Sequence, residues 1–203
     1  MMKKLFAIAV LAMTCLAGWA DSPLTSTHFA EAYADEPMVQ MAAGAQGEFS
    51  TTLLNYLANP KAPVDVRLAV VNQLGWSFEG QSTGDQLLQY LMGRHNCANT
   101  GKLVKKLDAG TLAVYAYAKA MSNYFDVTQA SVLAHKAVKK DKSHSFSVAM
   151  AAALIDAQIY LDNDWSQIYP VVAGVLNNGA LRLDMRQQAI DNIMEYINLY
   201  QEY

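Results

Sequence analysis

From residue 46 onward Gly, Pro and Asn recur at short intervals and cut the chain into pieces of helix length. Within each piece apolar residues return at spacings of three and four, and the apolar/polar alternation of a half-buried strand is almost absent. Ala, Leu, Met, Gln and Lys fill the pieces, residues that give up little on entering a helix. A chain of this kind has to bury its apolar surface by packing helices on helices.

The pieces fall into pairs. Residues 48–58 carry Phe49, Leu53, Leu54 and Leu57 and stop at Asn59-Pro60; Pro63 then stands where a first helical turn tolerates it, and 64–78 follows. Residues 85–93 pair with 103–124 across a loop, 94–101, with a break expected near Ala109-Gly110. Residues 127–140 pair with 146–161, and 165–176 with 182–200. Asp126 with Gln129, and Asp164 with Gln167, have the spacing of a capping box, while Asn177-Asn178-Gly179 tolerates a left-handed helix end. The second members start near residues 64, 109, 146 and 182, a period of roughly 35 to 45 that suits stacked helix pairs.

Setting Leu57 on Leu176 brings Asp65 onto Asp184, Val66 onto Met185, Arg67 onto Arg186, Val70 onto Ala189 and Leu74 onto Ile193. On these residues, with Leu53, Leu54 and Asn59, the chain resembles a HEAT or armadillo-type repeat protein: a Leu-rich first helix, a short Asp/Pro-containing joint and a Val-Arg near the start of the second helix. The resemblance implies an all-α fold, a right-handed α-solenoid of about four antiparallel helix pairs, whose second helices line a concave partner-binding face. The two middle pairs lack the Val-Arg feature. Residues 116–141, AYAKAMSNYFDVTQASVLAHKAVKKD, are also similar to a tetratricopeptide repeat, although its fixed length of about 34 residues is not kept.

Residues 148–155, VAMAAALI, are apolar all round, as a helix covered on both sides requires. Residues 182–200 have one stripe, Met185, Ala189, Ile193 and Ile197, and a polar back, as a terminal helix requires. Residues 27–43, with Met38, Val39 and Met41, are expected to cap the other end. The expected organisation is thus a leader at 1–20, a tail or capping segment at 21–46 and a helical repeat domain at 47–203.

The leader expectation rests on MMKKLFAIAVLAMTCLAGWA: Lys3 and Lys4, an uncharged apolar run, then Gly18-Trp19-Ala20 before Asp21. That is the layout of a secretory signal peptide, so the protein is expected in the periplasm or outside the cell. A lipid anchor at Cys15 is the alternative, although Thr14 stands where lipoprotein signals place a small residue. Cleavage would remove two lysines and no acid, moving the formal charge from -3 to -5. An acidic balance and export both argue against a nucleic-acid partner. Cys97 would then be the sole cysteine, with no partner in the chain for a disulfide.

Few residues invite chemistry. Asp65 and Arg67, like Asp184 and Arg186, stand two apart and do not face each other on a helix; an Arg fork there suits tying the joint or the neighbouring repeat. His28, His95, His135 and His144 include no i, i+4 pair, Asp162-Asn163-Asp164 lacks the rest of a calcium loop, and no metal or other cofactor is expected. Arg94-His95-Asn96-Cys97 sets a thiol beside an imidazole, but adjacency in sequence says little about catalysis. Tyrosine is plentiful, with eleven in the chain, and several fall on the second helices. The expectation is a binding module for a protein or peptide partner without catalysis, contacting it through Asn72, Trp76, Tyr117 and Tyr160, with Asn123 and Gln158 as further polar donors and acceptors. The alternatives are an enzyme built around His95/Cys97 or Asp141/His144, or a structural subunit of an envelope assembly.

Overall fold

The computed structural model describes residues 21–203; the expected leader and Cys15 lie outside the described residues. Among the described residues the chain forms ten α-helices and no strand. They are α1 Pro37–Ala43, α2 Thr51–Leu57, α3 Val64–Leu74, α4 Thr83–Arg94, α5 Thr100–Lys106, α6 Ala109–Ser122, α7 Thr128–Lys140, α8 Phe146–Asn163, α9 Ile168–Leu176 and α10 Gln187–Ile197. Short 3-10 turns occupy Phe29–Tyr33, Trp165–Gln167 and Asn198–Tyr200. None of the described helices is long and apolar enough to cross a membrane.

Local chemistry places the starts. Ser50, Asn99, Asp108 and Ser145 each accept from the amide three residues on, at 3.3, 3.0, 2.9 and 3.2 Å, and so satisfy an otherwise orphaned N–H. Asp164 caps the turn Trp165–Gln167 through the Ser166 amide, with Gln167 turning to the Ser166 hydroxyl instead of reaching back, whereas Asp126 accepts from the Thr128 amide one residue before the N-cap Val127. Helix α3 stops at Gly75, whose φ of 77° ends it four residues before the expected limit. The break expected near Ala109-Gly110 falls at Leu107-Asp108, where Asp108 caps α6.

The last pair departs from expectation more. Residues 182–186 are not helical: the Arg182 amide donates to the His144 carbonyl at 2.6 Å and its carbonyl accepts from Phe146 N at 3.0 Å, holding this stretch extended against the start of α8. Helix α10 begins only after Arg186. The Asp-Val-Arg unit therefore lies inside α3, whereas Asp-Met-Arg precedes α10.

The core is built on α3, α6 and α8, which pack on one another, with α2, α4, α7 and α9 outside them. Of the three, α6 and α8 are buried along most of their length. Close approach is bought by glycine at the α4/α6 crossing: a Cβ on Gly84 would come within 2.9 Å of Lys119 Cα. The N-terminal starts of α3, α6 and α8 all border one cleft, so these helices run in the same direction.

Residues 21–46 are an integral part of the core. Leu24, Phe29, Tyr33, Val39 and Ala42 are buried, α1 packs on α2 and α3, and the turn Phe29–Tyr33 is wedged between α3 and α10. Helices α3 and α10 are thus joined through the N-terminal segment.

Candidate functional site

The face made by α3, α6 and α8 already holds a peptide, the chain's own residues 22–33. Asn72 accepts from Ala30 N at 2.9 Å and donates to the Thr27 carbonyl at 3.0 Å and to the Tyr117 hydroxyl at 3.1 Å. Gln158 accepts from Leu24 N at 3.4 Å. Phe29 packs against Tyr117, ring centroids 5.9 Å apart. Two of the four expected contact residues, Asn72 and Tyr117, are therefore used up inside the molecule; Tyr117 is 0% exposed, and burial pushes its hydroxyl pKa well above the usual tyrosine range. Backbone-directed bonds from Asn72 and Gln158 do occur, and their recipient is this segment.

Trp76 lies elsewhere, just past the end of α3, in a ladder of four rings. It meets Tyr124 edge-on at 4.9 Å; Tyr124 stacks on Phe125 at 4.3 Å; Phe125 meets Phe78 edge-on at 5.6 Å. Phe78 and Phe125 are 55% and 57% exposed, an unusual placement for two touching phenyl rings. Each is followed by an acid, Glu79 or Asp126. Bonds from its own backbone amide and then from the Ser77 hydroxyl hold the Glu79 pKa below the usual range, and bonds from Thr128 do the same for Asp126. Both acids are charged at neutral pH. Tyr160, on α8, is half-buried and takes no part in this ladder.

At the opposite end, the starts of α3, α6 and α8 border a cleft of about 550 Å³. Its acids are largely committed. Asp108 caps Thr111, Asp184 accepts from Ser147 N and Arg182, and Asp141 accepts from the amides of Ser143 and Ser145. Burial pushes the Asp141 pKa up, but the bonds from Ser143 and Ser145 outweigh it and leave it lowered. Asp65 is pushed up by burial, against opposing bonds from the Val66 amide and the Tyr33 hydroxyl. Arg67, 1% exposed, donates from Nη1 to the Leu57 carbonyl at 3.3 Å and to Thr111 Oγ1 at 3.0 Å; its Nε has no partner among the described residues. Arg67 thus ties the end of the preceding helix to the next inner helix, the structural use expected of it.

Of the residues named for an enzyme, His144 is close enough to Asp141 to add to the lowering of its pKa, after the bonds from Ser143 and Ser145. The Cys97 thiol points to the His95 carbonyl at 3.6 Å, which also accepts from Lys106 Nζ. His144 contributes its carbonyl to Arg182. His135 pairs with Asp156 at 2.9 Å, and His28 gives its carbonyl to Asn192. Among the described residues no three His, Cys, Asp or Glu side chains converge where they could hold a metal ion.

Sequence reasoning missed Phe78 and Phe125, although each follows a second helix and precedes an acid. It also missed Leu24 and Phe29, which lie in no periodic pattern. Comparisons with protein-family models, curated proteins and solved structures return no match for this chain. Fold and site therefore define it only as an all-helical protein with an exposed aromatic ladder.

Proposed function

We propose that this is an exported, HEAT-like helical module that binds a peptide segment of a protein partner and performs no catalysis. The supporting observation is the exposed Phe78–Phe125 pair, backed by Trp76 and Tyr124. Two phenyl rings left in water beside two charged carboxylates suit a segment that carries aliphatic side chains and at least one Lys or Arg. The aliphatic part covers the rings, and the cation meets Glu79, Asp126 and the ring faces. The inner face of the helix pairs is not the partner surface in this reading, because residues 22–33 fill it.

The test is selection of displayed random peptides on the chain from Asp21 to Tyr203, followed by anisotropy titration of synthetic winners against wild type and Phe78→Ser/Phe125→Ser. The expected winners share a basic-aliphatic pattern and lose about tenfold or more in affinity on the double variant, since truncating a central aromatic contact typically costs about 2 kcal/mol. Winners without that pattern, or binding that survives the double variant, would refute this reading.

A further inference from the structure

A second surface stands apart from the aromatic ladder. Helices α5 and α7 together contain six of the chain's 15 Lys and Arg, at Lys102, Lys105, Lys106, Lys136, Lys139 and Lys140, and no acid. In a chain of net charge -3, this concentrates positive charge on one face. Part of it has an internal use: Lys106 Nζ donates to the His95 carbonyl, and Lys140 Nζ to the carbonyls of Val104, Lys105 and Leu107 at the end of α5. Lys102, Lys105, Lys136 and Lys139 are exposed, and none of the ion pairs among the described residues includes them.

The two helices do not pack together. Helix α5 rests on α4 and α7 on α6 and α8, and between α5 and α7 runs an open groove of about 850 Å³, bridged at one end by Lys140. Its walls have matched patterns. On α5, Gly101, Val104 and Lys105 fall at i, i+3 and i+4; on α7, Leu133, Lys136 and Lys140 fall at i, i+3 and i+7. Each wall offers a small or apolar residue and then a cation. Val132, 51% exposed, continues the apolar surface over the rim beside Lys136 and Lys139, at i, i+4 and i+7.

We propose that this groove binds an acidic amphipathic helix of a protein partner, its apolar stripe on Val104 and Leu133 and its carboxylates beside Lys105, Lys136 and Lys139. Charge complementarity selects the acidic partner. The apolar residues select one with an apolar stripe: over the buried Leu133 floor, half-buried Val104 and the exposed Val132 at the rim offer nothing to an anion that has no such stripe. The α7 wall, 13 residues long, spans about 20 Å, room for about three to four turns of partner helix. A bilayer surface fits less well, because the apolar residues lie inside a groove and not on a protruding face. The proposal stands independently of the peptide site at Phe78 and Phe125.

The test uses the chain from Asp21 to Tyr203 and a small panel of labelled synthetic helical peptides, with Leu or Ile stripes and Glu on the opposite face, read by anisotropy. Each has a scrambled control of equal charge. Two variants probe the groove without entering the core: Lys105→Glu/Lys136→Glu, and Gly101→Leu, where a new Cβ would meet no atom closer than 3.5 Å. The expected results are saturable binding of at least one amphipathic peptide and a loss of about tenfold on charge reversal. Gly101→Leu should give a similar loss by filling the groove, and Phe78→Ser/Phe125→Ser no change. Equal binding of scrambled controls, insensitivity to both groove variants, or no binding across the panel overturns the proposal. Lysine-dependent binding to phosphatidylglycerol vesicles with no peptide binding overturns it in favour of a lipid surface.

Discussion

Asn72→Ala is the sharpest test of how the N-terminal segment is held. Asn72 is buried and makes three bonds, to Ala30 N, the Thr27 carbonyl and the Tyr117 hydroxyl, at 2.9, 3.0 and 3.1 Å. Alanine leaves the Ala30 amide, 3% exposed, without a partner, while the Thr27 carbonyl keeps the Phe29 amide at 3.0 Å. Leaving one such group unpaired costs about 1–3 kcal/mol, and that is the expected loss, with the lower end applying if a water enters the vacated space. Tyr117→Phe removes one of the three bonds and should cost about 1 kcal/mol. The double variant should lose less than the sum, because the two substitutions share that bond. Urea unfolding measures the losses, and amide exchange followed by mass spectrometry localises them. Protection should fall first in residues 22–33, while α6 and α8 keep theirs. A loss below about 1 kcal/mol for Asn72→Ala, or unchanged exchange in 22–33, would refute the claim that side-chain-to-backbone bonds fasten this segment.

Two glycines should respond in opposite senses. Gly84→Ala drives a Cβ to 2.9 Å from Lys119 Cα and 2.8 Å from Ser122 Oγ, and should lower stability by about 1–3 kcal/mol in urea unfolding. Gly174→Ala, on an exposed part of α9 with nothing within 4 Å of the new Cβ, should raise it by about 0.5–1 kcal/mol. Asp65→Asn tests the half-buried carboxylate. Burial raises the Asp65 pKa in the folded state, so its stabilising contribution is present at low pH and is lost as pH rises through that raised value. The Asn variant escapes this loss, so in paired urea titrations its stability relative to wild type should rise from acid to neutral pH. A flat or falling difference would contradict the assigned burial.

The helix positions were legible because their causes are local. The apolar period lies within each segment, and a cap acts within three residues of itself, as at Ser50, Asn99, Asp108 and Ser145, although the capping boxes expected at Asp126 and Asp164 do not form. The role of Arg67 was legible for a related reason, since its anchors lie at the end of the preceding helix and at the start of the next inner one. The closing of the N-terminal segment onto the core was not. Leu24, Phe29 and Tyr33 are spaced by five and four residues in a stretch of turns, so no period marks them as core. Asn72 and Tyr117 look in sequence like polar and aromatic groups free for a partner until that segment is in place. The ladder was half visible: Trp76 stood out, but its exposed end depends on Phe78 and Phe125 meeting across two loops.

The same segment explains why two similar Asp-x-Arg units serve different ends. In the first, Arg67 reaches forward to Thr111 on the next inner helix. In the last, Arg186 is the N-cap of α10 and makes no such reach to a following helix. Instead residues 182–186 stay extended, and Arg186 turns to the N-terminal segment. Its amide donates to Tyr33 Oη at 3.1 Å, and its guanidinium bonds the Ala32 carbonyl at 2.9 Å, pairs with Asp35 and Glu36, and lies 4.6 Å from the centre of the Tyr33 ring. The Tyr33 hydroxyl in turn donates to Asp65 at 3.0 Å, so the final unit is linked through one tyrosine to the acid of the first. An open helix stack unfolds from its ends because terminal pairs have one neighbour each. Here α3 and the start of α10 share Tyr33, so loosening either removes bonds from the other, and the two should unfold together instead of fraying separately.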